Sequence, residues 1–334
     1  MLDWSISFFT PSTVMFRRIL VCTDLTDGLQ RFISQVSALQ HLGIEHLTFL
    51  HCVPFSQDGE IPHENETALA LAKAQLTYTP ASSTCPVEVK VKVLSGTPSE
   101  WIPTIAAQEQ AEALILGTTT RNFLTEKLFG STTAAVSQRC NLPILTLRPP
   151  LMQVYRNDEL TLRCQNLLRE ILIPFDNLST GHTLVEHLKH LLDRQPIPHL
   201  AKCWLVAIVP PEFRRMPNDH KVQEAEAQLQ ELKQYLSPYP LTIETQLYAG
   251  DLRDLLKLLS PYNISAIGVT YHRGEGLLDW SVPSFGKEIL RHSWHPVLLF
   301  PPVNPLAVKP FQKMNKGEIK SISPFQLTLL IIPL

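Results

Sequence analysis

The chain has 334 residues, 44% of them hydrophobic and 18% charged, enough for two globular domains with substantial cores. A formal net charge of -2 gives no electrostatic reason to expect nucleic acid or an acidic membrane surface as a partner. No run approaches the roughly 18 apolar residues that cross a bilayer, so no transmembrane segment is expected.

Residues 1–14, "MLDWSISFFTPSTV", carry Asp3 and lack the basic stretch of a secretory signal, and they read as an N-terminal extension. The first convincing strand, 17–23, lies in "MFRRILVCTD". Short aliphatic and β-branched runs then alternate with longer helical patterns. Strands are predicted near 17–23, 46–53, 87–95, 113–117 and 143–148, with helices near 28–42, 64–77, 98–110 and 131–140. Gly43 suits the end of the first helix. "TPSE" predicts Thr97 as N-cap of the third, Pro98 as its first residue and Glu100 as capping-box partner. Pro103 lies deep enough to predict a kink.

The same pattern then returns. "RRILVCTD" (17–24) recurs as "REILIPFD" (169–176), and "VKVLSGTPSEWI" (91–102) as "TQLYAGDLRDLL" (245–256). "ALILGTTT" (113–120) recurs as "AIGVTYH" (266–272), and "LPILTLRPP" (142–150) as "HPVLLFPPV" (295–303). Pairing Asp24 with Asp176, Gly96 with Gly250, Gly117 with Gly268 and Pro143 with Pro296 gives nearly constant offsets, so the chain is two copies of one domain. The expected division is 15–150, a linker at 151–166 with a short helix, a second copy at 167–303, and a tail at 304–334. In the second copy Val222, Ala225, Leu229, Leu232 and Leu236 form an amphipathic stripe. The alternation predicts an α/β fold: two tandem, doubly wound, Rossmann-like domains, each with a five-stranded parallel sheet.

Six cysteines without a C-x-x-C pair, several in apolar runs, read as reduced thiols of a cytoplasmic protein. His187 and His190 form an H-x-x-H on a predicted helix, expected to be a solvated face and not a metal site. His51, at the second strand's end, is expected to be structural. No G-x-S-x-G elbow, Walker A sequence or metalloprotease helix is present, so no enzyme activity is expected; slow ATP hydrolysis is left open.

The stretch "GTTTRNFLTEKLFGST", from Gly117 to Thr132, joins a predicted strand to a predicted helix. Backbone N–H groups at such a helix start bind phosphate, and glycine permits the close approach this needs. Asp24, at the first strand's end, suits hydrogen bonds to ribose hydroxyls or an adenine amino group, though Asp24 and Asp176 also stand where helix caps stand. Gly117, Thr120, Gly130 and Ser131 have the spacing G-x2-G-x9-G-[ST], with Thr120 in place of the second glycine. This resembles the ATP-binding motif of the universal stress protein family. The likeness extends over both copies, through "ILVCTD", "LHCV" (50–53), the turn at Gly96 and the proline-led last strand.

That resemblance implies a stress-response or ligand-sensing protein that binds ATP, ADP or AMP, with Mg as a companion ion. It implies contacts to the nucleoside from Thr23, Asp24, Thr26 and Cys52, and to ribose and phosphates from Gly117, Thr120, Gly130, Ser131 and Thr132. The family also contains non-binders, so a tandem scaffold is the alternative. The second copy keeps Asp176 and Gly268 but loses the third glycine, whether Ser281 or Pro283-Ser284 is aligned with it. Tyr271 is matched to the second glycine there, and the second copy is expected to be degenerate. The family's dimer pairs fifth strands antiparallel. Here 143–148 and 296–301 are expected to pair within one chain as a pseudo-dimer, with further homodimerisation left open.

Overall fold

The inner strands come from short apolar runs that alternate their side chains between two buried faces, while the edge strands are more polar and more exposed. The computed structural model describes residues 16–58, 61–79, 86–117, 131–176, 178–194, 199–215, 220–258, 263–271 and 284–301. The first half contributes β1 (Arg18–Cys22), β2 (His46–Val53), β3 (Glu88–Ser95), β4 (Ala113–Gly117) and β5 (Ile144–Leu147). The second contributes β6 (Glu170–Phe175), β7 (Lys202–Val209), β8 (Thr242–Ala249), β9 (Ala266–Thr270) and β10 (Val297–Phe300). They form one sheet in the order β3-β2-β1-β4-β5-β10-β9-β6-β7-β8. Within each half every pair is parallel.

At the centre β5 and β10 run antiparallel, with Thr146 opposite Val297, Leu145 opposite Leu298 and Ile144 opposite Leu299. Thr146 Oγ1 adds a buried bond of 3.2 Å to the Val297 carbonyl. The expected pairing of the fifth strands within one chain is therefore the seam of the molecule, and the two five-stranded halves share a continuous sheet.

The helices of the first half are α1 (Val36–Leu39), α2 (Glu66–Gln75), α3 (Pro98–Gln108) and α4 (Ser131–Arg139). Between the halves lie α5 (Pro149–Met152) and α6 (Asn157–Gln165). The second half adds α7 (Leu178–Arg194), α8 (His220–Leu236), α9 (Leu252–Leu258) and α10 (Ser284–His292). One hydrophobic core joins Val21, Phe49 and Leu145 to Ile173, Leu205 and Leu298, and takes in Leu160 and Cys164 of α6. The other joins Leu20, Leu114 and Ile144 to Leu172, Ile267 and Leu299. Successive residues of each strand fall in alternate cores, so the cores occupy opposite faces and each spans both halves. Among the described residues, no helix is long and apolar enough to cross a membrane.

Three local expectations need correction. The helix predicted at 28–42 is a four-residue α-helix, α1, flanked by 3-10 turns at Leu29–Gln35 and Gln40–Leu42; it does end at Gly43, with φ of 75°. Thr97 is the N-cap of α3, but its side chain makes no cap bond. Its carbonyl accepts the Glu100 and Trp101 N–H groups instead, and its hydroxyl accepts a long bond from Ser99 Oγ. Pro103 does not break α3, which continues to Gln108. A proline at 103 leaves the carbonyl four residues earlier, at Ser99, without its helical donor. Arg139 Nη1 of α4 donates to that carbonyl at 2.9 Å.

This substitution of a side-chain donor for a missing helical one predicts coupling between positions 103 and 139. Arg139→Ala alone should cost up to about 1 kcal/mol, the net worth of one exposed hydrogen bond. In a Pro103→Ala background, where the backbone N–H is restored, the same change should cost measurably less. Urea unfolding of the four proteins in the cycle measures the difference, and equal costs in both backgrounds would reject the compensation.

Candidate functional site

The strand order reverses between β1 and β4: the chain winds outward to β2 and β3 on one side and to β5 on the other. Loops leaving such a switch point diverge and open a crevice beyond the strands' carboxyl ends. Here β1 pairs with β2 only as far as Cys22 opposite Leu50, whereas β2 pairs with β3 through Val53 opposite Ser95. Three residues of β2, including Cys52, therefore extend beyond their pairing with β1.

The turn after β1 is built by its own side chains. Thr23 N–H donates to the Leu50 carbonyl at 3.1 Å, and His51 Nδ1 lies 2.9 Å from the Thr23 carbonyl, a structural role for that histidine. Asp24 Oδ1 accepts from Thr26 N–H at 2.7 Å, Thr26 Oγ1 at 2.8 Å and Asp27 N–H at 2.9 Å. This carboxylate oxygen closes a local turn, as short acidic side chains do. Thr26 is exposed and takes part by completing that turn; it does not line the crevice. The other Asp24 oxygen has no protein partner among the described residues.

Asp27 is the residue that sequence reasoning missed. It is 7% exposed, and its Oδ1 accepts from Thr23 Oγ1 at 2.7 Å and Leu29 N–H at 2.9 Å, while Asp24 N–H lies 3.3 Å from Oδ2. Burial raises its pKa above the ordinary carboxylate value, against the lowering effect of these hydrogen bonds. It also fixes Gly117. A Cβ on Gly117 would stand 2.4 Å from Asp27 Oδ2 and 2.5 Å from Asp27 Cβ, so only glycine lets β4 end against this side chain. An acidic residue three positions after Asp24 was the available signal, and it reads as a solvated loop residue unless its burial is known.

The crevice has a volume of about 120 Å³ and brings together Thr23, Asp24, Cys52, Gly117 and Thr132 of the expected set. Leu50, Pro98, Ile102 and Leu116 form its apolar wall, and Thr133 joins Thr132 at the α4 end. Pockets for drug-sized ligands run to roughly 300–1,000 Å³, so the crevice between the described residues is smaller than such a pocket. Ser131 is the first residue of α4. Thr120 and Gly130 lie outside the described residues. Burial pushes the Cys52 thiol up to about 11 and raises Cys22 well above its ordinary value, leaving both protonated near neutrality.

Among the described residues, the second half keeps Asp176 in the place of Asp24 but differs around it. Ile19 pairs with Ala113 and Ile171 with Ala266, an offset of 153 between β4 and β9. Thr270, not Gly268, is therefore the counterpart of Gly117, and Tyr271 corresponds to Thr118, one residue past that glycine. The same offset carries the first residue of α4, Ser131, to Ser284, the first of α10. Pro283-Ser284 is thus the counterpart of Gly130-Ser131. Phe175, 3% exposed, stands in place of Thr23. Tyr271 is fully buried, with its hydroxyl 3.5 Å from the Cys140 carbonyl of the first half. The H-x-x-H pair is also not a solvated face. His190 is exposed, but the His187 ring stacks on Phe300 at 5.2 Å, and burial lowers its pKa to about 4.

The fold defines a doubly wound α/β protein of two like halves, with a crevice at the switch point of the first. Residues 15–148 match the model of the Universal stress protein family. No curated protein matches the sequence. A universal stress protein from Archaeoglobus fulgidus DSM 4304 shares the fold with a TM-score of 0.56 at 14% identity, over 86% of this chain and 97% of that one. A protein described as functionally unknown, from Pseudomonas aeruginosa PAO1, does so with a TM-score of 0.50 at 14% identity, over 86% and 93%. Both span the two halves.

Two outcomes follow from Asp27. Gly117→Ala should destabilise the chain by about 1–3 kcal/mol through overpacking, and adding Asp27→Ala should recover part of that loss in a double-mutant cycle. A raised pKa means the folded chain holds this proton more tightly than the unfolded one. The associated destabilisation is absent below the unfolded pKa and complete above the folded pKa. Asp27→Asn should therefore gain stability relative to the parent as the pH rises from about 3 to about 7. Urea midpoints across that range check it, and a constant difference would mean Asp27 does not titrate differently in the two states.

Proposed function

We propose that the first half binds one adenine nucleotide, that the second binds none, and that the protein acts as a sensor of this ligand, without catalysis of its own. One observation carries this reading: Asp24, the end of β4 at Gly117 and the first turn of α4 face a single crevice at the strand-order reversal. In that arrangement Leu50, Pro98, Ile102 and Leu116 would pack against the flat base. The unpartnered Asp24 oxygen would accept from ribose hydroxyls or the adenine amino group. The N–H groups at the start of α4 would meet phosphate oxygens, with Thr132 and Thr133 adding hydroxyls.

Among the described residues, no group of three His, Cys, Asp or Glu side chains is placed to hold a metal ion. A Mg²⁺ accompanying the phosphates would be held chiefly by them and by water. A non-binding tandem scaffold is the rival reading. What favours it is that one Asp24 oxygen is already fully engaged in closing its own turn.

Calorimetric titration with ATP and Mg²⁺ should give a stoichiometry of one per chain. Asp24→Asn keeps a side-chain oxygen for the turn but removes the charged acceptor, and should weaken binding about tenfold, the worth of a charge-assisted hydrogen bond. Gly130→Val should abolish binding, and Ser284→Ala should leave it unchanged. Two comparable sites, or a working site lost with Ser284→Ala, would assign the wrong half. The absence of heat with ATP, ADP and AMP alike, together with no co-purified nucleotide by mass spectrometry, would leave the scaffold.

A further inference from the structure

A second cavity, of about 680 Å³, lies where the two halves meet. It opens beneath α5 and α6, against the starts of β6 and β10, and shares no lining residue with the crevice at Asp24. Its volume falls in the range of pockets that enclose small organic ligands, and junctions between domains are a common place for them. Its deep wall is apolar, formed by Phe32, Leu147, Met152, Leu160, Leu167 and Ile264, all buried. The large indole of Trp294, 64% exposed, stands at the rim.

The polar groups are unevenly charged. Arg163 Nη1 donates to the Leu151 carbonyl at 2.7 Å and more weakly to the Pro150 carbonyl at 3.4 Å. Arg169 Nη1 has only a long bond, 3.3 Å, to Asn166 Oδ1. Among the described residues, the remaining donors of both guanidinium groups have no protein acceptor. Glu170 is the single carboxylate in the lining, and burial keeps His295 uncharged near neutrality. Both arginines are exposed, and the lining therefore carries two cations and one anion, an excess of one positive charge.

We infer that this cavity is a ligand site for an amphipathic monoanion, a carboxylate carried on an apolar chain or ring. The apolar wall takes the body of such a molecule, and Arg163 and Arg169 take its head, guanidinium being the side chain suited to carboxylate geometry. A nucleoside polyphosphate fits poorly here. Its several negative charges exceed the single unit available. The inference is independent of nucleotide binding at Asp24, because the cavities are separate.

The test uses the full chain and two probes of equal length, dodecanoate and 1-dodecanol, titrated below their aggregation limits. One dodecanoate per chain should bind, at least about tenfold more tightly than the alcohol, as expected for a charge-assisted contact. Replacing both arginines, as Arg163→Gln with Arg169→Gln, should remove the preference while leaving binding of the alcohol unchanged. Saturating ATP should not displace dodecanoate. Failure of the acid to bind, equal affinity for acid and alcohol in the parent chain, or competitive displacement by ATP would each overturn the proposal. The comparison of acid with alcohol needs only the unmodified protein, so it decides the matter even if the double variant does not fold.

Discussion

The antiparallel contact between β5 and β10 is the interaction on which the rest of the molecule depends. Each half alone would present an apolar fifth strand at the edge of its sheet, an invitation to unplanned pairing. Placed together, the two edges satisfy each other, and the remaining edges fall on β3 and β8. β3 carries Lys90 and Lys92, both paired with Glu109, and charged side chains of this kind discourage further strand addition. Because the seam is internal, both hydrophobic cores run through it, and neither half has a core that stops at its own boundary.

The two halves share a backbone and differ in what they place at the switch point. In the first, Thr23, Asp24 and Asp27 form a hydrogen-bonded turn that requires glycine at 117. In the second, Phe175 and Thr270 occupy the places of Thr23 and Gly117, and Tyr271 is packed into the core. Of these exchanges, Thr23 to Phe175 puts a large buried apolar side chain where the first half has a hydroxyl that bonds Asp27. The two copies thus keep the same sheet while the described residues beyond the strand ends differ between them.

Much of the fold was legible in the sequence because strand burial on two faces leaves unbroken aliphatic runs, and all five strands of the first half fall within a residue or so of their expected limits. The inner pairing of the fifth strands was expected from the family resemblance, and their apolar character agreed with it. Three things were not. The helix after β1 breaks into 3-10 turns that propensity does not distinguish from α-helix. The repeat was aligned on Gly117 and Gly268 because both are glycines at strand ends, yet hydrogen-bond register sets the match at Thr270. Asp27 was passed over because an acidic residue in a polar turn is ordinarily exposed, and nothing in its spacing reveals that it is folded inward. The crevice set of Thr23, Asp24, Cys52, Gly117 and Thr132 came from family spacing, whereas its apolar wall came only from the structure.

The central seam also sets an order of events during synthesis. Thr146 and Val297 are separated by 151 positions in the chain. At translation rates of about 5–20 residues per second, the first half is complete roughly 8–30 seconds before the strand that covers its edge has been made. For that interval Ile144–Leu147 has no partner on one side. Neighbouring chains on one polysome then bear the same uncovered apolar edge, the circumstance that favours unplanned strand pairing.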